Sequence, residues 1–326
     1  MFRFVHFSDL HFCIYPLRRN LQSLHLRGLW KHVDVLHQQV KQFDLSTVVR
    51  PSSYDPRITA AVARFCYDRR NIIDGSIISG DLAATGKPVD LRVAKGFIED
   101  APTVGPYASY IAQSLAGTSR PIYILPGNHD KYVNDSGTPG SPHFDLMLEH
   151  HMRNKYADVG YWAQRKPNGK ETIACVYADF SLRNVSDAPD PAFYHGQGKV
   201  YTDTLGDLEL VTRGVREKYD DALIFWLIHF APFHAKRTLH LDDWHLIARS
   251  ANRLGVSFTI CGHTHEKSKH VINNHLIYCS GSAGSVDMVG NSFVHLIEVD
   301  VAGRQVVRKN YRYSPGNQEF TFDSAD

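Results

Sequence analysis

Short apolar runs separated by longer mixed segments organise the chain. Five runs stand out, at Phe2–Phe7 and at residues 77–78, 122–125, 223–228 and 256–260. A continuous apolar run bounded by turn residues is typical of a short strand that is covered on both faces. The runs therefore predict the strands of a buried sheet.

Helical periodicity lies between these runs. Within residues 57–70, apolar side chains recur at i, i+3, i+4 and i+7, the pattern of an amphipathic helix. Residues 203–219 and 242–254 precede the fourth and fifth runs, and Gly255 stands where a helix stop is expected. Because strand-like and helix-like segments alternate, we predict an α/β architecture.

Three segments depart from this alternation. In residues 14–56, apolar positions at about helical spacing are mixed with basic ones, which predicts a helical insertion packed on the body. The alternative is a basic amphipathic cap over a site, or a peripheral membrane contact through a helix at 17–40. Residues 131–170 are expected to be loop with one short helix near 144–155, and residues 274–313 to be antiparallel strands.

The composition is that of a globular protein with a sizeable core. The chain has 326 residues, 43% of them hydrophobic and 21% charged, and we expect a single domain over residues 1–326. Its formal charge of +2 is too small to indicate nucleic-acid binding, so no stable nucleic-acid partner is expected. The oligomeric state is left open.

Cysteine usage and the N-terminus bear on location. Five cysteines without a CxxC pair argue against a disulfide framework and favour a reducing compartment. The first residues lack the apolar region of a secretory signal, and no apolar run approaches the roughly 20 residues that cross a bilayer. We therefore expect a cytoplasmic protein.

Each of the five apolar runs ends on side chains able to bind a metal ion. In order along the chain these are Asp9 and His11, Asp81, the trio Asn128, His129 and Asp130, then His229, and finally His263 and His265. In open α/β sheets the carboxyl ends of strands gather along one crevice. Each block alone is weak evidence, but five blocks in order predict one site.

Together the blocks resemble the calcineurin-like metallophosphoesterases, whose pattern is D-x-H, G-D, G-N-H-D/E, a lone His and G-H-x-H. Here they are DLH at 9–11, GD at 80–81, GNHD at 127–130, His229 and GHTH at 262–265. The resemblance spans about residues 1–300. It implies an αββα sandwich of two packed mixed β-sheets flanked by helices, with the helical insertion after the first strand.

The same pattern implies two metal sites bridged by Asp81. The implied ligands are Asp9, His11 and His265 for one ion and Asn128, His229 and His263 for the other. Independently of the resemblance, imidazole and carboxylate ligands without a thiolate suit Mn or Fe, and also Zn or Ni. Two divalent ions bring four positive charges and the two aspartates return only two negative ones, so the centre suits an anionic phosphate.

The reaction implied is hydrolysis of a phosphoester by a metal-bridging hydroxide. His129 is the implied proton donor to the leaving alkoxide, and Asp130 is expected to accept from its other ring nitrogen. The alternative for Asp130 is a local cap of the following turn, and the sequence leaves both open. Arg18, His195 and His234 flank the ligand blocks as candidate substrate contacts, with ordinary surface positions as the alternative.

A small phosphodiester is the favoured substrate. The second block continues as GDLAATG, which resembles the cyclic-nucleotide-phosphodiesterase-like branch more than the protein phosphatases. The alternative is a pyrophosphatase acting on a nucleotide-linked lipid or sugar, because basic residues and an insertion follow the first block. A nuclease is disfavoured by the small net charge, and a catalytically silent protein-binding scaffold by the intact ligand positions.

Overall fold

The computed structural model of the chain describes most residues. They are 1–12, 55–100, 114–132, 139–167, 169, 171–189, 194–233, 239, 241–284 and 292–326. The helical insertion predicted over 14–56, with its 17–40 helix, lies outside the described residues except for its last two positions.

Strands and helices alternate along these residues. The strands are β1 Phe2–Phe7, β2 Gly75–Ile78, β3 Ile122–Ile124, β4 Val159–Arg165, β5 Thr172–Ala178, β6 Leu223–Ile228, β7 Thr259–Cys261, β8 Ser268–Ile272, β9 His275–Cys279, β10 Phe293–Asp300, β11 Gln305–Ser314 and β12 Glu319–Ala325. The α-helices are α1 Pro56–Asp68, α2 Pro88–Glu99, α3 His143–Leu148, α4 Thr202–Lys218 and α5 Trp244–Arg253. Among the described residues, no helix has the length and apolar character needed to cross a bilayer.

The strands form two mixed sheets. The first has the order β12-β11-β10-β1-β2-β3 and the second β4-β5-β6-β7-β9-β8. β1, β2 and β3 run parallel in the first sheet, and β5, β6, β7 and β9 run parallel in the second. Parallel strands end at one edge of their sheet, and this edge carries the candidate site.

Aromatic side chains join the two sheets. The ring of Trp162 on β4 stacks on Tyr123 of β3 with centroids 3.7 Å apart, and lies 5.5 Å from Phe4 of β1. All three side chains are buried. The sequence of β6 is apolar throughout because both faces of the strand are covered. Phe225 faces this inter-sheet core, while its neighbour Trp226 faces the outer core beneath α4 and α5.

Local chemistry sets the start of the first described helix. The Asp55 carboxylate accepts from the N–H of Arg57 at 2.9 Å, and Pro56 takes the first helical position. A side-chain acceptor followed by proline is a typical helix start, since proline lacks the N–H that the first turn leaves unpaired. The buried side of α1 includes Ile58, Val62 and Phe65, as its periodicity predicts.

The predicted αββα sandwich is confirmed, while some element predictions were wrong or incomplete. Residues 131–170 were expected to be loop around one helix, but they also contain β4. Its sequence, VGYWAQR, contains Gly160 and ends on Gln164 and Arg165, so it lacks the longer apolar run by which most of the other strands were recognised. The C-terminal antiparallel strands extend past 313 to β12, and α2 had not been predicted. The single domain over 1–326 stays a prediction, favoured by the pairing of β1 with β10.

Replacing Trp162 with Ala should destabilise the fold by about 3–5 kcal/mol, because it opens a cavity between the sheets. Urea unfolding followed by far-UV circular dichroism measures this change. Leu210→Ala is the control, since Leu210 lies 61% exposed on α4 and should change the unfolding free energy by no more than about 0.5 kcal/mol. Equal effects of the two substitutions would contradict the packing described.

Candidate metal centre

The turns after five strands meet at the common edge of the two sheets. Parallel pairing continues past the ends of β1 and β2, where the N–H of Asp9 donates to the carbonyl of Gly80 (3.1 Å) and that of His11 to the carbonyl of Asp81 (3.0 Å). The N–H of Gly262, after β7, donates to the carbonyl of His229, after β6, at 2.8 Å. The backbone itself therefore fixes the spacing of the side chains that follow.

Two buried carboxylates form the middle of the site, each anchored by one backbone amide. The Asp9 Oδ2 accepts from the N–H of His263 (3.0 Å), and the Asp81 Oδ1 from the N–H of His129 (2.9 Å). The second oxygen of each carboxylate faces histidine rings instead. Asp9 Oδ1 lies 3.4 Å from Nε2 of His265.

Asp81 Oδ2 lies between the two groups of histidines. It is 3.6 Å from Nε2 of His11 and 3.5 Å from Nε2 of His229. On one side, Nε2 of His11 is 3.2 Å from Nε2 of His265, and on the other, Nε2 of His229 is 3.1 Å from Oδ1 of Asn128. The predicted ligands thus fall into the two groups expected from the sequence, with Asp81 within reach of both.

Hydrogen bonds outside the cluster turn specific atoms toward it. A carbonyl can only accept, so the 2.6 Å contact from His229 Nδ1 to the Ser79 carbonyl places a proton on Nδ1 and leaves Nε2 facing the site. By the same argument, His263 Nε2 donates to the Gly196 carbonyl at 2.8 Å, which leaves Nδ1 as its ligand atom. Such partners orient metal-binding histidines.

The amide of Asn128 is oriented in a similar way. Its Nδ2 donates to the hydroxyl of Tyr132 at 2.8 Å, and its Oδ1 consequently points at Nε2 of His229. Tyr132 was not among the predicted site residues, although its position four residues after Asn128 was a usable signal. The orienting carbonyls of Ser79 and Gly196 were not predicted either, because a backbone carbonyl carries no residue signature.

Five of the seven predicted ligands have a left-handed backbone. The φ angle is 57° at Asp9, 49° at His11, 52° at Asp81, 75° at His263 and 58° at His265. This conformation costs an L-residue roughly 1–2 kcal/mol and persists only where the surroundings impose it. Backbone strain is therefore concentrated where the side chains converge.

Glycine permits the closest approach between the strand ends. A Cβ atom on Gly127 would lie 2.2 Å from Oδ1 of Asp81 and 2.7 Å from Nε2 of His229, and one on Gly80 would lie 2.4 Å from Nδ1 of His229. Gly80 also has a φ of 104°, which side chains rarely tolerate. Any larger residue at either position would push the predicted ligands apart.

The electrostatics favour ionised carboxylates at Asp9 and Asp81 and differ from one histidine to the next. Burial alone would raise the pKa of Asp9, but the charges of neighbouring histidines hold it well below its usual range. Burial lowers the pKa of His11, and it lowers that of His263 to about 3. At His229 burial is outweighed by the nearby Asp81, which raises the pKa to about 9. A metal ion at this position would displace that proton.

The residues present fit a pair of bound cations. Asp9 Oδ1 is buried and makes no hydrogen bond with the described residues, although it lies among histidine nitrogens. Three donor groups, each with ligand atoms mutually within 4.8 Å, overlap at this edge: Asp9, His11 and His265; His11, Asp81 and His129; and Asp81, His229 and His263. Converging imidazole and carboxylate donors suit transition-metal ions.

The structure corrects the role predicted for Asp130. Its carboxylate accepts from the backbone N–H groups of Leu82 (3.1 Å), Ala83 (2.8 Å) and Gly127 (2.9 Å). His129 Nδ1 instead donates to the carbonyl of Ala84 at 2.9 Å. The prediction that Asp130 holds the His129 ring was wrong, and the alternative of a cap of the following turn is not found either, because all three donor amides precede Asp130 in the chain. Burial and the neighbouring Asp81 raise the pKa of Asp130 to about 7, although the hydrogen bonds from the three amides act to lower it.

The side chains of the three candidate substrate contacts lie outside what the structure describes. Arg18 and His234 lie outside the described residues, and only the backbone of His195 is described. His195 does belong to the one-turn helix Tyr194–Gly196, whose last residue contacts His263. That segment therefore adjoins the cluster.

Replacing Asp130 with Ala should lower the free energy of unfolding of the metal-free protein by about 3 kcal/mol or more. The reason is that three buried amides lose their acceptor, at about 1–3 kcal/mol each. Urea unfolding measures the change in the free energy of unfolding. Faster hydrogen exchange at the amides of Leu82 and Ala83 would show that the loss arises at these hydrogen bonds. The exposed Asp221→Ala is the control. Lost activity with unchanged stability would instead favour a direct role for Asp130 beside His129.

Comparisons with known proteins agree with the fold and the site. A family model described as calcineurin-like phosphoesterase matches residues 2–267. No curated protein sequence matches the chain significantly.

Solved structures extend the similarity in fold. A dimetal phosphatase from Danio rerio has a TM-score of 0.57 at 12% identity, covering 95% of both chains. GAP50, the anchor in the inner membrane complex of Plasmodium, has a TM-score of 0.55 at 10% identity, covering 99% of this chain and 89% of its own. A purple acid phosphatase from yellow lupin seeds has a TM-score of 0.52 at 9% identity, covering 99% of this chain and 53% of its own.

These structures are too distant in sequence to show more than the fold, whereas the family model covers most of the chain and includes every predicted ligand. The chain belongs to the calcineurin-like phosphoesterases, a family of metal-dependent phosphoester hydrolases.

Proposed function

We propose that the protein hydrolyses a small phosphodiester at a two-metal centre. One observation carries the proposal: the second oxygen of Asp81 lies 3.6 Å from His11 and 3.5 Å from His229, between two groups of converging donors. A carboxylate in this position can bridge two ions. A single-metal site, or a set of purely structural ion pairs, would not require ligand groups on both sides of Asp81.

The proposed ligands are those that the sequence predicted. Asp9, His11 and His265 would hold one ion, and Asn128, His229 and His263 the other, with Asp81 shared between them. When bound, a pair of divalent ions lowers the pKa of water and neutralises charge on the phosphoryl group. We propose Mn or Fe as the native metals, with Zn or Ni as alternatives, from the donor types alone.

His129 is proposed to give a proton to the leaving oxygen. Its Nδ1–H is fixed on the Ala84 carbonyl, so proton transfer falls to Nε2. The ring packs edge-on against His11 with centroids 4.7 Å apart, which places it at the border of the cluster. Holding Nδ1 on a carbonyl also stabilises the doubly protonated ring, the form that an acid needs.

Two features support the proposed substrate: the charge of the centre favours a phosphate group, and the GDLAATG block resembles the cyclic-nucleotide-phosphodiesterase-like branch. Two divalent ions would leave the site net positive against Asp9 and Asp81, which favours phosphate binding.

Buried thiols support the proposed cytoplasmic location. Among the described residues, Cys66, Cys175, Cys261 and Cys279 are all buried and free. Cys261 and Cys279 are paired positions on β7 and β9, yet they remain unlinked. Free thiols in neighbouring strands suit a reducing compartment.

A substrate panel on the Mn-loaded protein tests the proposal. It compares bis(p-nitrophenyl) phosphate, a cyclic nucleotide and a glycerophosphodiester with p-nitrophenyl phosphate and a UDP-sugar. We expect the highest kcat/KM among the diesters. A preference for the monoester would overturn the diester assignment, and a preference for the UDP-sugar would favour the pyrophosphatase alternative. No bound metal and no turnover on any compound would overturn the two-metal mechanism.

Replacing His129 with Ala should leave both metal ions bound while kcat falls by roughly 10²–10⁴, the usual contribution of a general acid. Replacing Asp81 with Asn is the matched comparison, and it should lower metal content and activity together. Elemental analysis after gel filtration gives the metal content, and steady-state kinetics gives kcat. Loss of an ion from the His129 variant would instead make His129 a ligand, because it lies within reach of His11 and Asp81.

A further inference from the structure

A second cluster of metal-binding side chains lies apart from the strand ends. It joins Glu99, the last residue of α2, to His150 and His151 in the one-turn helix Glu149–His151 that follows α3. The Nε2 of His150 is 2.7 Å and the Nε2 of His151 is 3.2 Å from the same oxygen, Oε1 of Glu99. We propose that these three side chains form a third metal site, for Zn²⁺ or a similar ion such as Cu²⁺ or Ni²⁺.

The three ligand atoms lie within 4.8 Å of one another, and the two distances to Glu99 can be compared with those of a tetrahedral site. Ligand atoms about 2.0–2.2 Å from a zinc ion lie roughly 3.3 Å from each other. The contact of His151 with Glu99 already has about this length, and that of His150 is shorter by a few tenths of an ångström. The His150 side chain is 57% exposed, so it can adjust. Three protein ligands would leave the fourth position to water.

Buried neighbours hold the two backbones at this spacing. Phe97 and Ile98, next to Glu99, are fully buried, and so is Leu148 before the histidine pair. The turn is closed by the N–H of Met152, which donates to the carbonyl of Glu149 at 2.8 Å. The tight turn brings the two consecutive imidazole rings within 4.0 Å of each other, whereas consecutive side chains on a strand would point to opposite faces.

Two features of the cluster leave ligand atoms available to a cation. Burial and the neighbouring His150 lower the pKa of His151, so its ring is neutral and can offer a lone pair at neutral pH. Lys95 lies 3.8 Å from Glu99, but it faces the other oxygen, Oε2. Oε1 therefore remains the oxygen aimed at both rings.

A bound ion would tie the end of α2 to the turn after α3. The same helix begins at Pro88, close to the Ala84 carbonyl that orients His129. The site would thus stabilise the segment that carries part of the metal centre, without contributing a ligand to it. An ion that binds only the folded chain raises its stability by mass action.

Counting zinc ions tests the proposal. The Zn-loaded protein is dialysed against graded free Zn²⁺, and bound zinc is measured by elemental analysis, together with the thermal unfolding midpoint. Wild type should bind one more ion per chain than His150→Ala, and its midpoint should rise as that ion binds. Glu99→Gln should lower the affinity for this ion by at least roughly tenfold. That is the lower end of the effect of removing a group that only hydrogen-bonds a ligand.

The control is His245→Ala, which removes another exposed histidine, on α5, and should bind as wild type does. All three variants should retain hydrolytic activity, since none touches the strand-end cluster. The proposal is overturned if wild type and His150→Ala bind the same number of ions at every zinc concentration. Because the result is a difference between variants, it stands or falls separately from the proposed two-metal reaction.

Discussion

Anchoring of two buried carboxylates is the constraint on which the metal centre depends. Asp9 and Asp81 each accept one backbone N–H through one oxygen, and each donor amide belongs to another ligand-bearing turn. The turns are thereby tied to one another before any ion binds. The other oxygen of each carboxylate faces histidine nitrogens. A bound cation would interact favourably with all of these converging ligand atoms.

Left-handed backbones and glycines accompany this anchoring. Asp9 and Asp81 lie two and three residues after the ends of β1 and β2, and the chain turns there with a positive φ at both. The reversals bring β2 and β3 so close that only glycine fits at Gly80 and Gly127. Their conformational strain has to be offset elsewhere, and the inter-sheet core around Trp162 holds the strands from which the turns emerge.

The GNHD segment shows how neighbouring residues acquire different tasks. Asn128 is turned toward the cluster by Tyr132, and His129 is fixed by the Ala84 carbonyl. Asp130 points the other way and gathers three amides, so it shapes the loop instead of holding the histidine ring. A carboxylate next to a histidine in sequence is thus no guide to a carboxylate–imidazole pair.

The sequence by itself determined which residues could form the site, because ligand chemistry depends on residue type and strand ends are marked by apolar runs. Its apolar runs also indicated strands that are covered on both faces, and the resemblance of the five blocks to a known family implied the two-sheet sandwich. It could not identify β4, whose short apolar stretch is interrupted by Gly160 and ends on two polar residues, or the true role of Asp130. Only the tertiary structure decided which oxygen meets which amide and how His150 and His151 meet Glu99. Those contacts join residues far apart in the chain, and they depend on backbone direction, which residue type does not encode.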